Sequence, residues 1–295
     1  MLHAPLALAL VLAQAAGVPA GRDPCADAGQ ATKRDAWDRA RAPHVTRFCD
    51  LLAQAEARLA DEPAGAEAAA NEADKELPGR PEPVVLRARA ASAVGRHADA
   101  ITLFRAARAI DPRAATDAPS LLALATSLAR TGDDAGAREA FRALVPKSAG
   151  IPRADRRARA LLDAGLSVLG AGPAAAEEAV AVLRAASASA PGSVRAATQA
   201  ALALALDRAG RRAESGPIAA EAASTGAVSQ LKTALVGAPA SEALAVGAKL
   251  EEARDPVAAA AAWDAVAAKG GPWGEHARAR AAELRKGGAP RRRGR

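Results

Sequence analysis

Apolar residues recur at helical spacing along most of this chain, and between Pro81 and Pro112 the spacing predicts two helices joined by a tight turn. Val84, Ala88 and Ala91 mark one face, Gly95 interrupts it, and Ala100, Phe104 and Ala107 resume it. The series returns as Leu121, Ala125, Leu128, Gly132, Ala137, Phe141 and Leu144. Gly95 to Gly132, Ala100 to Ala137 and Phe104 to Phe141 are the same 37-residue step. A two-helix unit of this size cannot bury its own apolar face, so the pattern predicts pairs stacked one on the next. Small residues at Ala88, Ala100 and Ala107 let antiparallel helices approach closely, and Phe104 fills the space toward the following pair. Gly95 accepts the positive φ of a helix end, and Asp99 faces the positive end of the next helix dipole. Asp111-Pro112 stops the second helix, because proline disfavours helical geometry in the residue before it.

Weaker copies flank these two. Leu161, Gly165, Val168, Gly172, Ala179, Leu183, Ala186 and Pro191 give a third pair with a lengthened turn at residues 170–173. From Ala196, Leu202, Ala203, Leu206 and Gly210 keep the register, but Gly216-Pro217 falls in the second helix. A proline there costs roughly 3 kcal/mol and predicts a kink or a late start. Gly247, Leu250, Ala259, Trp263 and Val266 form a copy beginning at Ala240. Leu52, Ala55, Leu59, Ala66, Ala70 and Pro78 outline a degenerate first pair, and residues 273–284 a helix that caps the open end.

The arrangement resembles the tetratricopeptide repeat family, whose consensus places small residues at positions 8, 20 and 27, an aromatic near 24 and proline at 32. With Pro81 as position 1, Ala88, Ala100, Ala107, Phe104 and Pro112 occupy them. The second copy lacks the closing proline, and its period exceeds the family's usual length of roughly 34 by about three residues. The resemblance implies an all-α, right-handed solenoid of about five antiparallel helix pairs plus a capping helix over residues 47–285, a protein that binds partners and is not an enzyme. It also implies that ligands lie in the concave groove lined by first helices, at positions 2, 5, 9, 12 and 13. Those positions are Glu82, Val85, Arg89 and Ser92 in the clearest repeat, and Leu122, Thr126 and Arg130 in the next. The copy from Ala196 contributes Asp207 and Arg208, and the copy from Ala240 contributes Leu244, Ala248, Glu251 and Glu252. The lysine and asparagine with which some members grip acidic carboxy-terminal peptides are absent, so a carboxylate clamp is not expected.

Half the residues are hydrophobic, only 2% are aromatic, and tyrosine is missing. Such alanine-dominated sequence favours helix, and no alternating strand pattern is present. Residues 1–20 read as an export signal: Pro5 to Gly17 is apolar apart from Gln14, and Val18-Pro19-Ala20 places small residues at a cleavage site, although no lysine or arginine precedes the run. The run is too short to span a bilayer comfortably, so the mature chain is not expected to be transmembrane. An arm over residues 21–46 follows, in which Pro43 interrupts the helical pattern. Cys25 and Cys49 are the only cysteines. In an exported protein they form one disulfide, worth about 3 kcal/mol in the chain-entropy model; in a reduced one they are two small buried thiols. No CxxC pair exists and His44 lacks further ligands, so neither a metal site nor any cofactor is expected.

The net charge is +7, and Arg285, Lys286, Arg291, Arg292, Arg293 and Arg295 supply six of it. Residues 286–295 form a basic tail, and Gly287-Gly288-Ala289-Pro290 argues against helix there. Without interleaved aromatics it lacks the stacking platform of a nucleic-acid site, so it is either a solvated terminus or a weak contact for anionic lipid or polymer. His44, His97 and His276 lie far apart in sequence and imply no shared site; GxSxG, HExxH, Walker and dinucleotide-binding signatures are missing. Glu177-Glu178 and Glu251-Glu252 are expected to face solvent. The leading expectation is an exported, periplasmic or envelope scaffold that binds an unidentified protein through its groove, with tail-driven attachment to an anionic envelope surface as the alternative.

Overall fold

The computed structural model describes residues 25, 43–224, 234–235 and 238–288. Among them are thirteen α-helices and no strand. In chain order these are α1 (Pro43–Arg58), α2 (Pro63–Glu76), α3 (Pro81–Ala93), α4 (His97–Ile110), α5 (Ala118–Arg130), α6 (Asp134–Leu144), α7 (Ala154–Leu169), α8 (Ala176–Ser189), α9 (Gly192–Arg208), α10 (Arg212–Ser224), α11 (Ala240–Arg254), α12 (Pro256–Ala268) and α13 (Gly274–Gly288). Neighbours in sequence pack as antiparallel pairs, and each pair packs on the next. The fold is an all-α solenoid of helix pairs, with α13 laid against α12 as the last element described.

The 37-residue step is reproduced in the backbone. α3 and α5 begin 37 residues apart, as do α4 and α6, and Gly95 and Gly132 take φ of 80° and 82° in the two turns. A Cβ at either glycine would meet nothing within 4 Å, so the positive φ alone requires glycine. Gly165 has the opposite reason. Its Cβ would stand 2.5 Å from Leu183 Cγ, and the close α7–α8 approach excludes any side chain. Phe104, Phe141 and Trp263, at equivalent places in α4, α6 and α12, are fully buried.

Prolines mark starts more than interruptions. Pro43 opens α1, and Pro63, Pro81 and Pro256 stand at the beginnings of α2, α3 and α12, where the missing N–H has no helical partner to lose. The first helix among the described residues thus spans the expected solenoid start at residue 47 from Pro43 onward. α10 starts on time at Arg212 and runs through Pro217, which sits in its second turn. α13 continues through Lys286 and Gly287 to Gly288, beyond the helix end expected near residue 284.

The core falls into three clusters: a small one under α1–α3, one across α3–α8, and the largest over α7–α13. In this last part the stacking changes. Glu242 in the first turn of α11 pairs with Arg208 in the last turn of α9, and its side chain also lies against Gly170 after α7. The start of α11 therefore crosses the carboxyl ends of two earlier first helices.

Candidate partner-binding face

A cavity of about 490 Å3 opens on the first-helix side between α1, α3 and the α4–α5 loop. Leu52, Pro81, Val85, Leu86 and Ala114 give it apolar walls, while Glu56, Glu82, Arg89, Asp111, Arg113 and Asp117 supply charge. The Cys25–Cys49 disulfide forms part of its lining, tying Cys25 to α1, 24 residues along the chain. Of the positions that the repeat resemblance implied, Glu82, Val85 and Arg89 meet here. Arg89 forms a two-pronged pair with Glu56 of α1, at 2.6 and 2.7 Å, and Glu82 pairs with Arg80. Glu56 remains 52% exposed at the mouth, against 16% for Arg89.

The loop that closes the cavity is held tightly. Asp111 accepts from the Arg113 amide, Asp117 caps α5 by accepting from the Ser120 amide, and Lys147 donates to the Thr116 carbonyl. Ala115 within it is buried at φ 59°, the one non-glycine with positive φ among the described residues. Alanine there costs about 1–2 kcal/mol, strain that the surrounding contacts sustain.

The remaining groove positions are divided. Ser92 donates to the Ala123 carbonyl and accepts from Ser127, so it joins α3 to α5 instead of standing open. Leu122 and Thr126 are half-buried on α5, and Arg130 is exposed at its end. His97 approaches Ser127 Oγ at 3.4 Å; burial first, then the charge of Arg130, holds its imidazole below the usual value. His44 is exposed on α1.

Asp207 and Arg208 lie in a sealed charge network, not on the groove. Arg208 and Glu242 pair with side chains 1% and 3% exposed, and the guanidinium lies 4.6 Å from the Trp273 ring centre. Trp273 donates to the Leu169 carbonyl at 2.7 Å. Asp207 faces His276 at 3.3 Å, Arg212 at 3.3 Å and Lys249 at 3.7 Å. Glu252 accepts from Arg280, Lys249 and the Trp263 indole; it is enclosed and not solvent-facing as expected. Burial pushes the Asp207 carboxyl up, but the hydrogen bond to His276 and the charges of Lys249 and Arg280 outweigh it and hold it at about 2. Burial drives Glu242 up and Arg208 down against their mutual attraction. The histidine–carboxylate pair sits against the edges of Trp263 and Trp273. No group of three or more potential metal ligands occurs among the described residues.

Sequence reasoning missed Glu242, Lys249, Trp273 and His276 as partners of Asp207 and Arg208, since they come from α11, α13 and the turn before α13, up to 69 residues away. The basic-tail residues Arg291, Arg292, Arg293 and Arg295, the export signal and most of the amino-terminal arm lie outside the described residues. No helix among the described residues is long and apolar enough to cross a membrane.

No protein-family model matches the chain. No curated protein matches it either. Among solved structures, it is similar to the crystal structure of a Podosopora anserina protein of nearly identical TPR-like repeats, described as a kinesin light chain. The two are 19% identical with a TM-score of 0.42, over 62% of this chain and 96% of that one.

Proposed function

We propose that this protein is a non-catalytic scaffold that holds a segment of a partner protein on its first-helix face, in the cavity between α1, α3 and the α4–α5 loop. The observation that carries the reading is the convergence of Glu82, Val85 and Arg89 on an apolar-walled cavity of a size suited to side chains. The mechanism is complementarity: apolar walls take aliphatic side chains, and the charged rim orients them. The Cys25–Cys49 disulfide favours an oxidising compartment, and with the sequence of residues 1–20 it supports a periplasmic or envelope location.

Site-specific photo-crosslinking in the native host tests this. A photoreactive residue in place of Arg113, exposed at the cavity, is expected to give a discrete adduct that one in place of Thr102 on α4 does not. Ala53→Trp, which fills the cavity, should abolish the adduct. Identical adducts from both positions, or indifference to Ala53→Trp, would discard the reading.

A further inference from the structure

The second helices form the opposite face, and ion pairs link them in steps. The turn before α4 reaches back to α2 through Arg96–Glu67, α6 reaches α8 through Arg142–Glu178, and α8 reaches α10 through Arg184–Glu214. Arg142 and Arg184 each follow the large buried residue of their helix, Phe141 and Leu183. Their partners Glu178 and Glu214 each precede the small buried residue of the next, Ala179 and Ser215. In α4 the equivalent arginine is Arg105, which follows Phe104. Its partner position in α6, before Ala137, is Gly136.

At that step a cavity of about 230 Å3 opens between α4, α5 and α6, and Gly136 lines it. The floor is Phe104, Leu121 and Leu124; Arg105 and Arg108 stand on the rim. Glu139 of α6 lines the cavity too, but no ion pair joins α4 to α6 among the described residues. Arg105 and Arg108 are one turn apart on α4, a like-charge arrangement that costs a few tenths of a kcal/mol, and although Glu139 lines the same cavity it forms no ion pair with either. The volume is room for about eight waters, the bulk of a short alkyl chain, and lies below the roughly 300 Å3 at which pockets for larger ligands begin.

We infer that this cleft is a binding site for a short alkyl carboxylate, whose carboxylate takes the place of the glutamate that α6 lacks and whose chain lies on Phe104, Leu121 and Leu124. Arg105 and Arg108 clamp the head group, and the apolar floor excludes fully hydrophilic anions. The site is on the face opposite the proposed partner cavity and does not depend on it.

The test is a titration of the full chain, 13C-labelled at isoleucine and leucine methyls, with octanoate, octyltrimethylammonium and acetate in turn. Octanoate is expected to shift Ile101, Leu121 and Leu124, with the cationic analogue and acetate each binding at least about tenfold more weakly. Arg105→Gln with Arg108→Gln, both exposed, should weaken octanoate by about tenfold through loss of charge-assisted bonds. Gly136→Glu should block octanoate by restoring the internal pair. Because its Cβ would press on the Asp133 carboxylate that caps α6, the arginine variants remain the primary readout. Equal binding of the cationic analogue, unchanged binding by the double variant, or no shift of the three residues with octanoate would each overturn the assignment.

Discussion

The pairs α1–α6 and the helices α7–α13 solve the same stacking problem with charges in opposite places. In the amino-terminal part Arg89 meets Glu56 at the mouth of a cavity, and half of the glutamate is open to water. In the carboxy-terminal part Arg208 and Glu242 are sealed beneath Trp273. Two arginines from first helices thus have different uses. An exposed pair contributes little to stability and stays free to exchange partners. A buried pair is locked, because leaving either charge alone is costly. Among the described residues the groove is open at its amino-terminal end, and at the other end the protein's own helices occupy it.

Removing one partner of the sealed pair breaks this comparison most sharply. Arg208→Met leaves Glu242 buried without its cation and should destabilise the carboxy-terminal part by about 3–5 kcal/mol, whereas Arg208→Met with Glu242→Leu should come close to wild type. Urea unfolding followed by tryptophan fluorescence reads it directly, since Trp263 and Trp273 are both buried there. A double variant as weak as the single one would mean that the pair is needed as such.

The carboxy-terminal part also holds two aspartates that pull stability in opposite directions with pH. Asp163 on α7 is buried with Oδ1 unbonded; burial raises it to about 7, with Arg159 opposing. Its folded pKa exceeds its unfolded value near 4, so the native state holds the extra proton and loses stability as pH rises from about 4 to 7, by up to about 4 kcal/mol. Asp207, held at about 2, contributes stability present above pH 4 and lost as pH falls toward 2. Asp163→Asn should accordingly stabilise the protein at pH 8 and do little at pH 4. Equal effects at the two pH values would contradict the assignment.

In the amino-terminal part the comparable constraint is covalent. Cys25→Ser with Cys49→Ser opens a loop of sequence separation 24 and should cost about 3 kcal/mol in the chain-entropy model. The loss should fall on α1 and α2 in hydrogen exchange, leaving α9–α13 protected, because solenoid contacts run only between neighbours. The same variant removes a wall of the first-helix cavity, so crosslinking from position 113 should weaken with it.

What could be read in advance follows the same division. Residues 81–144 repeat with one step and one glycine turn, so their helices, caps and buried faces are local consequences of sequence, and Glu82, Val85 and Arg89 could be placed on one face only through the groove positions that the repeat resemblance implied. The cavity they line also needs the Asp111–Asp117 loop, whose shape depends on Lys147 and the start of α5. Beyond residue 154 the register still places the helices and Trp263, but not the buried charges. α7 and α9 lengthen to 16 and 17 residues, against 13 for α3 and α5, and α11 crosses the ends of α7 and α9. Buried charges then take positions that a regular repeat would have left on the groove, and nothing local in Asp207-Arg208 announces partners on α11 and α13.

The smallest effect concerns the loop that shapes the open cavity. Ala115→Gly removes the αL strain, about 1–2 kcal/mol, but adds about 0.5–1 kcal/mol of backbone entropy to the unfolded chain. The net gain should be roughly 0.5 kcal/mol, a slight rise in the urea midpoint with unchanged slope. If the rigid loop presents Asp111 and Asp117 to a partner, the more stable variant should nevertheless give less crosslinking from position 113, since glycine lets the free loop leave the binding shape. Stability and binding rising together would instead make the φ of Ala115 a packing accident, and the amino-terminal cavity would owe its form to the helices alone.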